Sequence, residues 1–252
     1  MAVQRVEAIV IRSIDYGEGN KIVTLFTRTE GKVGVVARGA KKPKSRLGAA
    51  TQPFVQGEYV YYRSGQLGTL NHAEIVHSRH ALRENILLAA HAAYMAELAD
   101  KALQDQEAGT AMFEQFEAAL NALEAGKDAQ TVLHLFEMKI LTATGYRPVL
   151  DQCVSCGRTE GPFVLAVASG GLLCAACRGR EAHAIGLSAQ AQRLLRLFVA
   201  ADLRRLGKIE LKPETKRELK TCMRGLIDHF IGVPFKSRSF LDQMEKYGLS
   251  DH

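Results

Sequence analysis

Two cysteine pairs constrain this chain more tightly than any other feature of it. Cys153-Val-Ser-Cys156 and Cys174-Ala-Ala-Cys177 are separated by seventeen residues. Each pair forms a knuckle that presents two sulfurs to one point, and the spacer is long enough to bring the second knuckle over the first. Four thiolates close a tetrahedral shell around a zinc ion at about 2.3 Å from each sulfur. A closed shell leaves no position for a reactive water. The expected role of Cys153, Cys156, Cys174 and Cys177 is therefore structural, with one zinc ion. A redox dithiol is the main rival, although one pair would suffice for it, and iron–sulfur ligation uses the same donors. Gly157 and Gly170-Gly171 supply turns, and Phe163–Val167 supplies a strand for a ribbon. The fifth cysteine, Cys222, reads as a small buried apolar side chain. This usage of cysteine points to a reducing compartment rather than to a disulfide framework.

Ahead of the cysteines the hydrophobic period changes once. Residues 3–76 read as short strands: Val6–Ile11, Lys21–Phe26, Lys32–Arg38, Phe54–Tyr62 and Leu67–Val76, with Thr29-Glu-Gly31 as a hairpin turn. Five strands in so short a stretch predict a small closed or nearly closed β-barrel. An SH3-like barrel fits the pattern nearly as well. The OB type is preferred because it commonly sets nucleic acid against a face flanked by basic loops.

Such a loop is present. Between Glu30 and Glu58 there is no acidic residue, while Lys32, Arg38, Lys41, Lys42, Lys44 and Arg46 all fall inside that window. Gly39, Pro43 and Gly48 argue against a helix there, so the charges belong on an exposed connection. Crowded like charges repel unless a polyanion neutralises them, and a phosphate backbone does so with release of counterions. The six cations are the candidate nucleic-acid contacts; a solvated loop that aids solubility is the plain alternative. Phe54, Tyr59, Tyr61 and Tyr62 are candidate stacking platforms. Alternation sends Tyr59 and Tyr61 to one face and Tyr62 to the other, so at most one set meets a strand and the rest fill the core.

From Leu82 the spacing becomes helical. Further helices are expected over Met112–Glu124, from an Asp128 cap to Thr144, from a Ser188 cap, and from Pro213 to Gly232. His134 and Glu137, three apart, are expected on an exposed helix surface. Residues after Phe240 are expected to be poorly tied down. The basic residues of the last helices, Lys212 to Arg224, read as solvated charges before they read as a second contact. Residues 1–80 carry 12 Lys and Arg against 6 Asp and Glu, and residues 81–147 carry 5 against 10. That asymmetry suggests separate surfaces for separate partners. The N-terminus lacks a signal-peptide layout, and the most apolar run, Ile86–Ala96, falls far short of a membrane span; a soluble cytoplasmic protein is expected.

The chain resembles the RecO family of bacterial recombination mediators. The likeness lies in Val36-Ala-Arg-Gly-Ala-Lys-Lys-Pro-Lys-Ser-Arg46 followed by Gln52-Pro-Phe54, in Ala8-Ile-Val-Ile11 ahead of Gly17-Glu-Gly-Asn20, and in the two knuckles. It implies an α+β multidomain chain: an OB-type barrel (1–80), then an all-α domain (81–148 and 182–252) interrupted by a four-cysteine zinc ribbon (149–181). It also implies a non-enzymatic role. Such a protein binds single- and double-stranded DNA, anneals complementary strands, and with RecR helps load RecA onto DNA coated by single-strand-binding protein (SSB), whose acidic, apolar C-terminal tail docks in the helical part. Nucleoid association in the cytoplasm follows from that role.

Two other classes remain open. One is an enzyme acting on nucleic acid, although Gly39–Ser45 lacks the glycine that precedes the lysine of a Walker loop and Gly17-Glu-Gly19 lacks the third glycine of a dinucleotide fingerprint. The other is a zinc-ribbon scaffold with little DNA affinity.

Overall fold

Alternating apolar residues build five strands at the start of the chain: β1 (Ala2–Tyr16), β2 (Asn20–Thr27), β3 (Gly31–Ala37), β4 (Gln56–Arg63) and β5 (Gly68–His77), with a short helix α1 (Arg46–Ala50) between β3 and β4. In this computed structural model, residues 2–63, 65–104 and 109–246 are described. The strands close into a barrel in the order β1-β2-β3-β5-β4. All pairings are antiparallel except β3 with β5, which meet in parallel at Val35–Gly68 and Val36–Thr69. That order is the Greek-key OB arrangement, which decides against the SH3-like alternative. β1 is long because it serves two partners: residues from Ala2 to Ile9 pair with β4, and those from Ala8 to Tyr16 pair with β2. A bulge between Val10 and Arg12 bends it from one to the other.

Val6, Ala8, Val10, Val23, Leu25, Val35, Tyr59 and Tyr61 fill the interior. The Tyr59 hydroxyl donates to the Ala50 carbonyl at 2.9 Å, which ties α1 over one end of the barrel. Gly57 is required by space, since a Cβ there would sit 2.3 Å from the Glu74 carbonyl oxygen.

Three helices follow: α2 (His80–Glu84), α3 (Ile86–Ala102) and α4 (Thr110–Glu124). Asn85 caps α3 by accepting from the backbone N–H groups of Leu87 and Leu88. These helices pack with the barrel in one unit that runs to Gly126. Phe26, on the outside of β2, sits 6.1 Å from Phe113 and 5.8 Å from Phe116 between ring centres. Arg28 bonds Glu7, Glu114 and Glu117. Arg79, whose side chain is fully buried, bonds Gln56 of β4 together with Asn121 and Glu124 of α4.

The same unit takes in the end of the chain from Phe235. The stretch after Phe240, expected to be poorly tied down, is ordered as far as it is described: Lys236–Lys246 form a helix, α8, with Leu241 and Met244 buried, and residues 247–252 lie outside the described residues. Phe235 packs edge-on against Tyr94 at 5.4 Å. Leu241 and Met244, three apart, share one face of α8, which the charged residues around them obscure in the sequence.

Lys127–Pro234 form the second unit. Its helices are α5 (Ala129–Ala143), α6 (Ala189–Ala200) and α7 (Pro213–Phe230); its small sheet, in the order β6-β8-β7-β9, comprises β6 (Val149–Cys153), β7 (Phe163–Ala166), β8 (Gly171–Cys174) and β9 (Ile185–Gly186). Asp128 and Ser188 cap α5 and α6 as expected, and Pro213 opens α7. His134 and Glu137 correct the reading made from sequence. Both are buried, and Nδ1 of His134 lies 2.7 Å from a Glu137 carboxylate oxygen. The reason is that α5 is apolar nearly all round, with Val132, Leu135, Phe136, Met138 and Ile140 all buried, so it has little solvent face to offer. No described helix is long and apolar enough to cross a membrane.

Candidate nucleic-acid interface and candidate metal centre

The basic segment leaves β3 as a series of turns and enters α1 at Arg46. It is anchored from inside by Ala40, which is buried with the barrel core, and by Leu47, which packs against it. It is anchored from outside by the β1–β2 turn. The Lys41 N–H donates to the Gly19 carbonyl at 3.1 Å, and the Gly39 N–H donates to Asn20 Oδ1 at 2.9 Å. The chain reverses at Gly39, with φ of 68°, and at Lys44, with φ of 65°. These two turns hold Arg38, Lys41, Lys42, Lys44 and Arg46 on an exposed platform.

Among the described residues no carboxylate pairs with Arg38, Lys42, Lys44 or Arg46. Lys41 meets Asp15 of β1 at 2.8 Å, and that contact holds the Asp15 carboxyl below its ordinary value. The pair is exposed and exchanges readily with solvent or another anion. Lys42 lies along the β1–β2 turn, its Cε 3.6 Å from where a Gly19 Cβ would be. The structure does not bring Lys32 into this group. The Lys32 side chain is nearly buried, donates to the Asp100 carbonyl at 2.5 Å and lies 3.8 Å from the Asp100 carboxylate. It borders a different feature, a cleft of about 600 Å3 lined by Thr24, Gly34, Tyr61, Arg63 and Gln66 as well as Lys32.

The aromatic candidates divide as alternation requires. Tyr59 and Tyr61 are wholly inside, and Phe54 is buried too. Tyr62 is partly exposed, opposite Val3 at the far end of β1. A further exposed aromatic, Tyr16, 53% exposed, lies opposite Asn20, whose side chain accepts from the Gly39 N–H. Residue-by-residue reading passed over it because its nearness to the basic segment depends on the hairpin register.

The four knuckle sulfurs gather in the second unit, all within 4.8 Å of one another. Cys153 ends β6, Cys174 ends β8, and the pairing of β6 with β8 puts the two knuckles side by side. Each knuckle is a hydrogen-bonded turn: the Gly157 N–H donates to the Cys153 carbonyl at 2.9 Å, and the Cys177 N–H to the Cys174 carbonyl at 2.9 Å. Gly157 takes a φ of 72° that favours glycine. The Sγ atoms of Cys156 and Cys174 are 3.7 Å apart. Tetrahedral thiolates at a metal–sulfur distance of about 2.3 Å stand about 3.8 Å apart, so the donor set has the size an ion of that kind requires. Burial works against a Cys153 thiolate, yet the backbone N–H groups of Cys174, Cys156 and Ser155 bring that thiol down to about 6. At its neighbour Cys156 the Arg158 N–H favours the thiolate, but the sulfurs of Cys153, Cys174 and Cys177 together with burial outweigh it and drive that thiol up to about 11. Four such groups ionise together only around a cation.

Comparison with known proteins agrees with this layout. The family profile "Recombination protein O N terminal" matches residues 1–79, and "Recombination protein O C terminal" matches residues 83–239. The chain is 43% identical to a protein of Halalkalibacterium halodurans over 98% of this chain and 97% of that one. It is 43% identical to one of Bacillus subtilis over 95% and 94%, and 39% identical to one of Listeria monocytogenes over 97% and 96%. Each of these relatives is named DNA repair protein RecO. With both halves of the family profile matched along its length, the chain belongs to the RecO family.

Proposed function

We propose that this chain is a non-enzymatic DNA-binding recombination mediator that grips the sugar–phosphate backbone through Arg38, Lys41, Lys42, Lys44 and Arg46, with Lys32 a lesser contributor held back by Asp100. The observation that carries the reading is the fixed, solvent-facing platform of cations on an OB barrel. Phosphate neutralisation predicts affinity for single- and double-stranded DNA that falls steeply with salt. Reversing Lys41, Lys42 and Lys44 together to Glu is expected to weaken binding to every DNA sequence alike. It should flatten the plot of log affinity against log salt by about 2 to 3 in slope, for three lost contacts. Unchanged affinity and slope sink the proposal, and turnover of ATP or of a nucleic-acid substrate by the purified chain overturns its non-enzymatic half.

The family's name supports a place in DNA repair, and the resemblance supports strand annealing and RecA loading with RecR on SSB-coated DNA in the bacterial cytoplasm. In the second unit a shallow cavity of about 410 Å3 has chemistry suited to the acidic, apolar SSB tail. Pro148, Val149, Leu150 and Val199 give it an apolar lining beside the guanidinium groups of Arg147 and Arg196, with Asp151 also at its edge. A labelled tail peptide is expected to bind wild-type protein and to lose affinity to Arg147→Glu.

Cys153, Cys156, Cys174 and Cys177 would hold a single zinc ion, which supplies a cross-link between the two knuckles and no open coordination position. One equivalent of zinc in the purified protein, lost in Cys174→Ser, is the expected analysis.

A further inference from the structure

We propose that the four-thiolate centre is also a modification site, at which a peroxide oxidises Cys156 and joins it to Cys177. The proposal rests on the zinc reading above and adds a reversible redox response to it.

The two knuckles are built alike, and each has an inner and an outer sulfur. Cys153 and Cys174 are the last residues of β6 and β8, and both are buried. Cys156 and Cys177 follow on turns beyond the strand ends, the first exposed and the second half-buried. Backbone donors favour the inner pair. The N–H groups of Cys174, Cys156 and Ser155 bond the Cys153 sulfur, and those of Cys177 and Ala176 bond the Cys174 sulfur. Donors that stabilise a thiolate also lower its nucleophilicity, and burial keeps oxidants away. Cys156 accepts from the Arg158 N–H but faces solvent, so it is the sulfur an oxidant reaches first.

A resolving partner is at hand. All four sulfurs lie within 4.8 Å of one another, so little movement is needed to form a bond of about 2 Å. Register holds the inner cysteines, Cys153 opposite Leu172 and Cys174 opposite Phe163. Cys177 sits on a turn and is freer to close on Cys156. Arg158 and Arg178, exposed and next to the outer cysteines in the chain, have no carboxylate partner among the described residues. Positive surroundings of this kind favour thiolates over thiols.

The chemistry balances with hydrogen peroxide as oxidant. The Cys156 thiolate attacks one peroxide oxygen; an S–O bond forms, the O–O bond breaks and hydroxide leaves. The Cys177 thiolate then attacks the Cys156 sulfur; an S–S bond forms, the S–O bond breaks and a second hydroxide leaves. The two sulfurs give up the two electrons that reduce the peroxide. Only two donors of the closed shell remain, too few to retain the ion. A thiol reductant reverses the step by exchange.

The test uses the full chain as purified, with its metal. Hydrogen peroxide is added while a chromogenic chelator reports released zinc and a 1,3-diketone traps sulfenic acid. About one zinc per chain should be released while the buried Cys222 stays reduced. Trapped adduct at Cys156 should exceed that at Cys153 or Cys174 by about tenfold. Without the trap, peptide mapping should find a Cys156–Cys177 disulfide, and dithiothreitol with added zinc should restore the metal content. Zinc retained until Cys222 is oxidised too, first adducts at Cys153 or Cys174, or a disulfide that omits Cys177 overturns the proposal. If the protein holds zinc that peroxide does not release, this proposal falls and the zinc reading stands. If the protein carries no zinc and takes none up, both fall.

Discussion

Glu97 shows how one side chain holds an element in place. Its carboxylate accepts from the Lys236 and Ser237 N–H groups and from the Ser237 hydroxyl, and it pairs with Lys101 at 2.8 Å. Burial alone would raise its pKa, but these donors bring it down to about 2. A carboxyl that titrates lower when folded stabilises the fold above its unfolded value and loses that contribution as pH falls toward 2. Glu97→Gln is therefore expected to cost about 1–2 kcal/mol at pH 7, after allowance for solvent screening, and almost nothing near pH 2. Urea unfolding at the two pH values checks it. Arg79 is a second case. Its buried guanidinium joins Gln56, Asn121 and Glu124, so Arg79→Ala should cost about 3–5 kcal/mol by leaving Glu124 buried and short of a partner. Denaturant titration of that variant gives the number. His134 teaches the reverse lesson about legibility. A histidine and a glutamate three apart look like surface chemistry in a sequence, and only the apolar residues on every side of them reveal a buried pair.

At the scale of elements, local signals were readable where a single residue type is required locally. Asp128, Ser188 and Pro213 mark helix starts because each satisfies or lacks a backbone N–H group that the first turn cannot pair. The cysteine knuckles were readable for the same reason, since four sulfurs at those spacings have few other uses. What escaped were features set by register. The split pairing of β1, and with it the position of Tyr16, depends on a bulge that no local composition announces. The docking of α8 depends on a partner more than a hundred residues away. The ribbon carries its own prediction. Chelation of a metal ion held by the four cysteines is expected to expose the segment between Cys153 and Cys177 to protease while leaving the barrel strands protected. Hydrogen exchange resolved by segment distinguishes that outcome from global unfolding, which would contradict the division into two units.

Across the whole molecule, the alternation of basic and acidic stretches turns out to serve the interior of the first unit as much as its surface. Asp100, Glu114, Glu117 and Glu124, from the acidic stretch, pair with Lys32, Arg28 and Arg79 of the barrel segment. Within the barrel, Arg5 pairs with Glu58 and Arg63 with Glu30. The expectation of separate partner surfaces is thus corrected for these acids, which hold helices to strands. Apart from the exposed Lys41–Asp15 pair, the cations of the 38–46 platform have no carboxylate partner among the described residues. Raising salt should therefore weaken DNA binding far more than it weakens folding, because the exposed platform is screened fully and the half-buried pairs much less. Parallel salt titrations of affinity and of urea midpoint test the contrast.

The bonds from Lys41 to Gly19 and from Gly39 to Asn20 fix the platform in the free protein. Capture of a strand then requires little freezing of the backbone, so encounter should be fast and governed by long-range attraction. Cutting the Asn20 tether while keeping every positive charge would slow capture without altering the net field.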